Sequence, residues 1–120
     1  MVDVYRGDLR ICRAREASNF FGRARGLMFK RRLEKGEGLL IEFSSLLKSC
    51  SIHSFFMRFA IDLIFIDSGM SVVDMKTLVP WKIYSTKGDC RWVLEVSEGT
   101  IEENNIKPGD VLTFHGLIRP

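Results

Sequence analysis

The sequence predicts an α+β domain with a mainly antiparallel, rolled or barrel-like sheet of about six short strands. Short runs rich in β-branched and aromatic residues recur along the chain and are separated by turns that contain glycine. One early segment has helical periodicity, which predicts a flanking helix, and one short helix is indicated late. The connections between strands leave no room for the crossover helices that a parallel sheet requires.

The totals favour one globular domain over residues 1–120, with 46% hydrophobic and 28% charged residues. No apolar run is long enough to span a bilayer, and the first residues do not resemble a signal peptide, so we expect a cytoplasmic protein without membrane contact. Cys12, Cys50 and Cys90 are an odd number of widely spaced cysteines, which is a poor disulfide framework and fits a reducing compartment. The net charge of +3 does not by itself indicate nucleic acid.

In the N-terminal third, residues 2–14 are predicted to form a hairpin that turns at Gly7. From Glu16 to Met28 apolar residues recur at steps of three and four, which predicts an amphipathic helix. The basic segment 23–35 that follows could bind the phosphates of a nucleic acid weakly. We favour a solvated helix end, because no aromatic residue interleaves with these cations on the exposed side.

The middle of the chain contains the longest apolar stretch, Phe59–Ile66, which Asp62 alone interrupts. It predicts a buried strand from about Ile61 to Ile66, reached through a loop at residues 44–51. A hairpin turn at residues 67–69 is expected to follow it.

The remaining elements are predicted in the same way. Pro80 excludes a central strand, so residues 78–81 should form a crossing loop with Trp81 packed down as a lid. The other expected elements are a short strand at 39–43, a strand at 70–75, a polar turn-rich segment at 84–89, a strand at 91–96, a short helix at 100–105 and a last strand at 111–115.

Reactive side chains cluster immediately before the central strand, at Cys50, His53, Met57 and Arg58. Arg25, beside a glycine at the predicted helix end, could join His53 and Arg58 in a cationic pocket for a carboxylate, a phosphate or a polar glycan. Either tryptophan could stack on a sugar, although core packing is the more common use of an indole.

A second hypothesis is an enzyme. Cys50 lies three residues before His53, a spacing compatible with a thiolate-imidazole pair in a hydrolase or thiol-dependent transferase. A buried inert thiol is the favoured interpretation, since no complete catalytic set is visible. Zinc would need two further ligands from distant residues, so we expect neither a metal nor a cofactor. Asp62 is expected to form an internal salt bridge with Arg58.

The order and spacing of several short motifs resemble the DUF192 family, also known as UPF0127, over about residues 16–115. These motifs are Arg25-Gly-Leu-Met-Phe-Lys30, Gly36-Glu-Gly-Leu-Leu40, Cys50-x-x-His53-Ser-x-x-Met57-Arg58-x-x-Ile61-Asp62-x-x-Phe65-x-Asp67, Leu94-Glu-Val-x-x-Gly99 and Gly109-Asp110. The resemblance implies a small barrel-like prokaryotic domain with a flanking helix and no established activity. Ser54 stands where relatives often have threonine, and Ala60 where they often have proline.

Together these observations predict a non-enzymatic module that binds an anionic or glycan-like small molecule. The predicted site comprises Arg25, Cys50, His53, Met57, Arg58 and Asp62. The thiol enzyme and weak nucleic-acid binding through residues 23–35 remain the alternatives.

Overall fold

The computed structural model describes residues 1–17, 33–43, 49–55, 57–87 and 89–116. Within these ranges the chain forms nine strands and one short helix. They are β1 (Val2–Arg6), β2 (Leu9–Ala17), β3 (Glu37–Glu42), β4 (Ser49–His53), β5 (Ile61–Ile66), β6 (Val72–Leu78), β7 (Ile83–Lys87), β8 (Trp92–Ser97), α1 (Thr100–Glu103) and β9 (Thr113–His115). The predicted flanking helix lies outside the described residues, except at Glu16 and Ala17, which belong to β2.

Seven strands form one sheet in the order β6-β5-β8-β3-β2-β1-β9, which curls into a half-barrel. The barrel-like, mainly antiparallel architecture is therefore confirmed. Strands β2 and β3 are an exception, because they pair in parallel from Arg13 opposite Glu37 to Ala17 opposite Ile41. The sequence interpretation was wrong to exclude this pairing. Residues 18–36 separate the two strands, and a connection of about a dozen residues or more is long enough for a crossover.

Strand β5 lies between β6 and β8, and all six of its residues are buried. Because side chains alternate along a strand, Leu63 and Phe65 enter the core on one face of the sheet, whereas Ile64 and Ile66 enter the core on the other. A strand covered on both faces appears in the sequence as a continuous apolar run. This explains why the predicted bounds of β5 match the structure.

Strands β4 and β7 form a separate antiparallel ribbon, in which Ile52 is opposite Tyr84 and His53 is opposite Ile83. We call these two strands the β4–β7 ribbon. The sequence predicted a loop up to residue 51 and turns at 84–89, so both strands were missed. They are short and about half polar, with three serines between them, and they extend because of their pairing and one buried face.

The ribbon is attached to the main sheet by a disulfide between Cys50 and Cys90, the residue two positions before β8. The expectation of free cysteines was wrong for this pair. Although 40 residues separate them, the fold brings their Cα atoms to 6.0 Å, which is the usual distance for a disulfide. Cys12 is free and buried. The described residues form no helix of the length and apolarity needed to span a bilayer.

Candidate functional site

The predicted site residues divide into an interior and an exposed group. Cys50, Met57 and Asp62 lie in the protein interior, with 0%, 5% and 2% of their surface exposed. His53 and Arg58 are exposed. Arg25 lies outside the described residues. The predicted residues before and within the central strand therefore do not line one common cavity.

Asp62 connects three elements of the fold. Its Oδ1 accepts a hydrogen bond from the Thr77 hydroxyl at 2.7 Å. Its Oδ2 accepts the backbone N–H groups of Gly99 at 3.0 Å and Ile101 at 3.1 Å, at the start of α1. The expected salt bridge to Arg58 was wrong, since Arg58 is exposed whereas these three donors surround the buried carboxylate. Asp62 joins β5 to β6 and α1, which is a structural role.

Cys50 and His53 do not form a thiolate-imidazole pair in this structure. The Cys50 sulfur is bonded to Cys90, and both cysteines are buried. Strand alternation places Cys50 on the inner face of the ribbon and His53 on the outer face. The remaining thiol, Cys12, has its pKa raised to about 12 by burial, so it is protonated at neutral pH.

The outer end of the ribbon carries three aromatic side chains, which we call the aromatic strip: His53, Phe55 and Trp81. The His53 and Phe55 rings stack with centroids 4.9 Å apart and an interplanar angle of 24°. The Phe55 and Trp81 rings lie 6.1 Å apart. Trp81 is 57% exposed, so the expectation that it packs down as a lid was wrong. Either tryptophan was a candidate for stacking on a sugar, and of the two Trp81 is the exposed one.

Ser54 fixes the turn that presents Trp81. Its side chain is fully buried, and its hydroxyl donates to the Val79 carbonyl at 2.6 Å and accepts the Lys82 N–H at 2.9 Å. The backbone N–H of Trp81 donates to the backbone carbonyl of Ser54 at 2.9 Å. These bonds hold Trp81 at a φ of 65°, which is uncommon for any residue other than glycine. Such conformations persist where the surrounding structure enforces them, and they cluster at functional sites.

The outer face of the ribbon continues beyond the aromatic strip. Ile83, opposite His53, is 62% exposed. The next outward pair is Ser51 and Ser85, whose hydroxyls are hydrogen-bonded to each other. Successive outward pairs along a strand are about 7 Å apart. The aromatic strip, the pair of His53 and Ile83, and the pair of Ser51 and Ser85 thus follow one another along an open surface.

The electrostatics of this surface are positive. The segments 49–60 and 79–87 contain Arg58, Lys82 and Lys87 but no aspartate or glutamate. Arg58 and Lys82 are exposed and close in sequence to Phe55 and Trp81 respectively. These two segments therefore bring exposed cations, and no carboxylate, close in sequence to the aromatic strip.

The inner face of the ribbon is linked to β6 by a hydrogen bond of 2.6 Å from the Tyr84 hydroxyl to Asp74. Burial acts to raise the pKa of Asp74, but hydrogen bonds from Tyr84, the Met75 N–H and Thr86, with the Lys76 charge, outweigh it and lower that pKa. The bond to Asp74, followed by burial, raises the pKa of Tyr84. This pair attaches the ribbon without using its outer face.

One groove of about 580 Å³ lies elsewhere, between β2 and α1. Arg10, Cys12 and Lys35 are among its lining residues, and Lys35 forms an ion pair of 3.1 Å with Glu103 across it. None of the predicted site residues lines this groove. Within the described ranges, no group of three or more histidine, cysteine, aspartate or glutamate side chains is placed to hold a metal ion.

Fold and surface together define a small, curled β-sheet domain that presents an aromatic strip on an accessory ribbon. Residues 3–114 match the DUF192 family (Uncharacterized ACR), and the chain belongs to this family. The resemblance seen in the sequence is thereby confirmed.

Named relatives support this membership. The chain is 37% identical to a UPF0127 protein of Pyrococcus furiosus over 121 residues, covering 98% of this chain and all of that protein. It is 34% identical to a UPF0127 protein of Thermococcus sibiricus, covering 95% of this chain and 73% of the relative.

Two crystal structures share the fold. A protein of unknown function from Novosphingobium aromaticivorans superposes with a TM-score of 0.81 at 25% identity, covering 93% of this chain and 82% of that chain. A candidate transcription regulator from Sinorhizobium meliloti superposes with a TM-score of 0.82 at 23% identity, covering 97% and 93%. The family and its structural neighbours therefore establish the fold and leave the activity open.

Proposed function

We propose that this protein is a non-enzymatic binding module that recognises a glycan-like ligand on the outer face of the β4–β7 ribbon. The observation that carries the proposal is the aromatic strip, in which Trp81 is held outward by the buried hydroxyl of Ser54. Large apolar side chains grouped on the surface mark interaction sites, because burying them inside would otherwise stabilise the fold.

The chemistry of the strip suits a sugar. The apolar C–H face of a pyranose ring can stack on the Trp81 indole, while the sugar hydroxyls require hydrogen-bonding partners at the edges of the ring. The His53 Nδ1 accepts the Phe55 N–H at 3.3 Å, so the ring has Nε2 as the atom with which it can donate to a ligand. Ser51 and Ser85 add hydroxyl groups that both donate and accept.

The binding proposal relies on side chains that are exposed. The thiol-enzyme alternative requires Cys50 to be released from its disulfide and moved out of the core, so we favour binding. The nucleic-acid alternative depends mainly on residues 23–32, which lie outside the described residues.

The chain has two tryptophans, which makes a fluorescence test direct. Trp92→Phe leaves Trp81 as the single indole, and Trp81→Phe leaves Trp92, which packs edge-on against Phe114 with centroids 5.5 Å apart. Titration with a panel of neutral and acidic oligosaccharides should give a saturable change in the emission of the Trp92→Phe protein. The Trp81→Phe protein, titrated in parallel, is the control and should show little change.

Trp81→Ala should weaken the binding of the same oligosaccharide by at least about tenfold, since it removes the stacking surface. Its thermal midpoint should stay close to that of the parent, because substitutions of exposed residues usually change stability by less than about 0.5 kcal/mol. The proposal is overturned if no member of the panel changes Trp81 emission at millimolar concentration, or if Trp81→Ala binds as tightly as the parent.

A further inference from the structure

We propose further that the ligand is acidic, namely a linear oligosaccharide of sugars that carry carboxylates. This inference rests on the proposed function and names the ligand class of the same surface. It depends on the charges around the aromatic strip, which the stacking argument does not use.

The distribution of charge is the first support. Aspartate and glutamate make up 15 of the 120 residues, yet none falls in the segments 49–60 and 79–87 that form the ribbon and its end. Several exposed cations of the main sheet do have acidic neighbours: Arg10 and Arg13 lie within 3.5 Å and 3.2 Å of Asp3. The outer surface of the ribbon therefore favours a partner that brings its own negative charge.

The positions of the two described cations are the second support. Lys82 follows Trp81 directly, and its backbone N–H is bonded to the Ser54 hydroxyl, so its backbone is held at a fixed position next to that of Trp81. Arg58 lies three residues after Phe55 and is exposed. A guanidinium can bind a carboxylate through two parallel hydrogen bonds, and an ammonium attracts it as a point charge. A uronic acid offers both an apolar ring face and a carboxylate at the ring edge.

The shape of the surface is the third support. From the Trp81 end, the outer face continues through His53 and Ile83 to the hydroxyls of Ser51 and Ser85. These two outward pairs of residues are about 7 Å apart along the ribbon. This open track suits an extended chain of sugar rings better than a single sugar, which would occupy only the aromatic end. The hydroxyl pair would then contact the neutral groups of the following ring.

A single-stranded nucleic acid also stacks on aromatic residues and carries negative charge. Such ligands place a phosphate at every nucleotide, so their sites have cations along the whole path. Arg58 and Lys82 follow the aromatic strip closely in sequence, and the next outward pair, Ser51 and Ser85, presents hydroxyls rather than a cation. This arrangement favours the acidic sugar.

The test compares ligands that differ only in charge, using the Trp92→Phe protein. An oligogalacturonide and its methyl ester share one backbone and length, and the ester lacks the carboxylates. We expect the acid to bind at least about tenfold more tightly than the ester at low salt, and 0.5 M NaCl to remove most of that preference.

Charge-neutral variants locate the effect. Arg58→Gln and Lys82→Gln should each reduce affinity for the acid about three- to tenfold, while affinity for the ester stays unchanged. Lys107→Gln removes an exposed cation outside the ribbon and should change neither. All three positions are exposed, so folded protein is expected in each case.

The outcomes separate this inference from the proposed function. Equal affinity for acid and ester overturns the acidic ligand and leaves the glycan-binding module intact. If the emission of Trp81 changes neither with these two ligands nor with any neutral oligosaccharide of the panel, both proposals are overturned together. Tighter binding of an oligothymidylate than of the oligogalacturonide overturns the inference in favour of a nucleic acid.

Discussion

The seven-stranded sheet and the β4–β7 ribbon use their two faces differently. Strand β5 buries every residue, because one core covers each face of the sheet. The ribbon buries Ile52 and Thr86 on its inner face, whereas His53, Ile83 and the neighbouring Trp81 are exposed on the outer side. Fully burying a large apolar side chain contributes about 1.5–3 kcal/mol, and the ribbon forgoes this at several positions. The sheet thus provides stability, and the outer face of the ribbon is the surface that we propose for recognition.

The largest effect should come from cutting the covalent bond between the two regions. Replacing Cys50 and Cys90 together by serine should lower the free energy of unfolding by about 4 kcal/mol, since the disulfide closes a 40-residue loop. Urea denaturation of oxidised, reduced and substituted protein measures this.

Thiol counts provide the control for this experiment. At pH 8 the native protein should resist alkylation, because burial raises the Cys12 pKa to about 12. Denatured protein should expose one thiol without reductant and three with it. Three reactive thiols in denatured, unreduced protein would contradict the disulfide.

The next largest effect is predicted inside the sheet, at Asp62. Asp62→Ala should destabilise the protein by about 3 kcal/mol, because the Thr77 hydroxyl and the N–H groups of Gly99 and Ile101 lose a buried acceptor. Asp89→Ala, at an exposed carboxylate, is the matched control and should change little. Equal midpoints for the two variants in thermal unfolding would show that Asp62 does not anchor α1.

The smallest effect is expected where the ribbon touches β6. Tyr84→Phe keeps the ring against Phe65 but removes the hydrogen bond to Asp74, so it should cost about 1 kcal/mol at neutral pH. Because the folded-state pKa of Asp74 is lowered, this contribution is present above the ordinary pKa of 3.8 and disappears as pH falls through the lower folded value. Because the folded-state pKa of Tyr84 is raised, the contribution of this hydrogen bond to stability is also lost as pH rises above the ordinary tyrosine pKa of 10.0 and through the folded value.

Unfolding curves across the pH range measure this difference. Tyr5 is the second of the two tyrosines in the chain, and Tyr5→Phe is the control. Its difference in stability from the parent should not depend on pH in the acid range. A constant difference between Tyr84→Phe and the parent down to about pH 2 would argue against the coupling to Asp74.

Local patterns predicted much of the main sheet. The apolar run at β5 gave its bounds, and the hairpin of β1 and β2 followed from the alternation around Gly7. The late helix was expected from Thr100, where α1 begins. These elements depend on side-chain period and turn chemistry, which are visible within a few residues.

The missed features depend on residues that are distant in sequence. The partners of Asp62 are 15 to 39 residues away, and Cys90 is 40 residues from Cys50. Strands β4 and β7 extend because they pair with each other, which neither short segment indicates alone. Of the residues proposed for the site, His53 and Arg58 are exposed, whereas the exposure of Trp81 depends on its bonds with Ser54.

The disulfide also changes the reasoning about compartment. The odd number of cysteines had suggested a reducing compartment. The disulfide between Cys50 and Cys90 removes that argument, and no other feature of the described residues indicates the compartment. Disulfides are common in secreted proteins and occur also inside the cells of hyperthermophiles, so this bond does not identify a compartment. The cytoplasmic location therefore remains a prediction.

The conformation of Trp81 has an evolutionary consequence. At a φ of 65°, glycine or asparagine would fit the backbone with less strain than an indole does. On backbone strain alone, glycine or asparagine would therefore be preferred to tryptophan at this turn. A tryptophan retained at this position would mean that selection accepts backbone strain in order to keep an exposed indole. Such cases, in which stability is given up for function, are common.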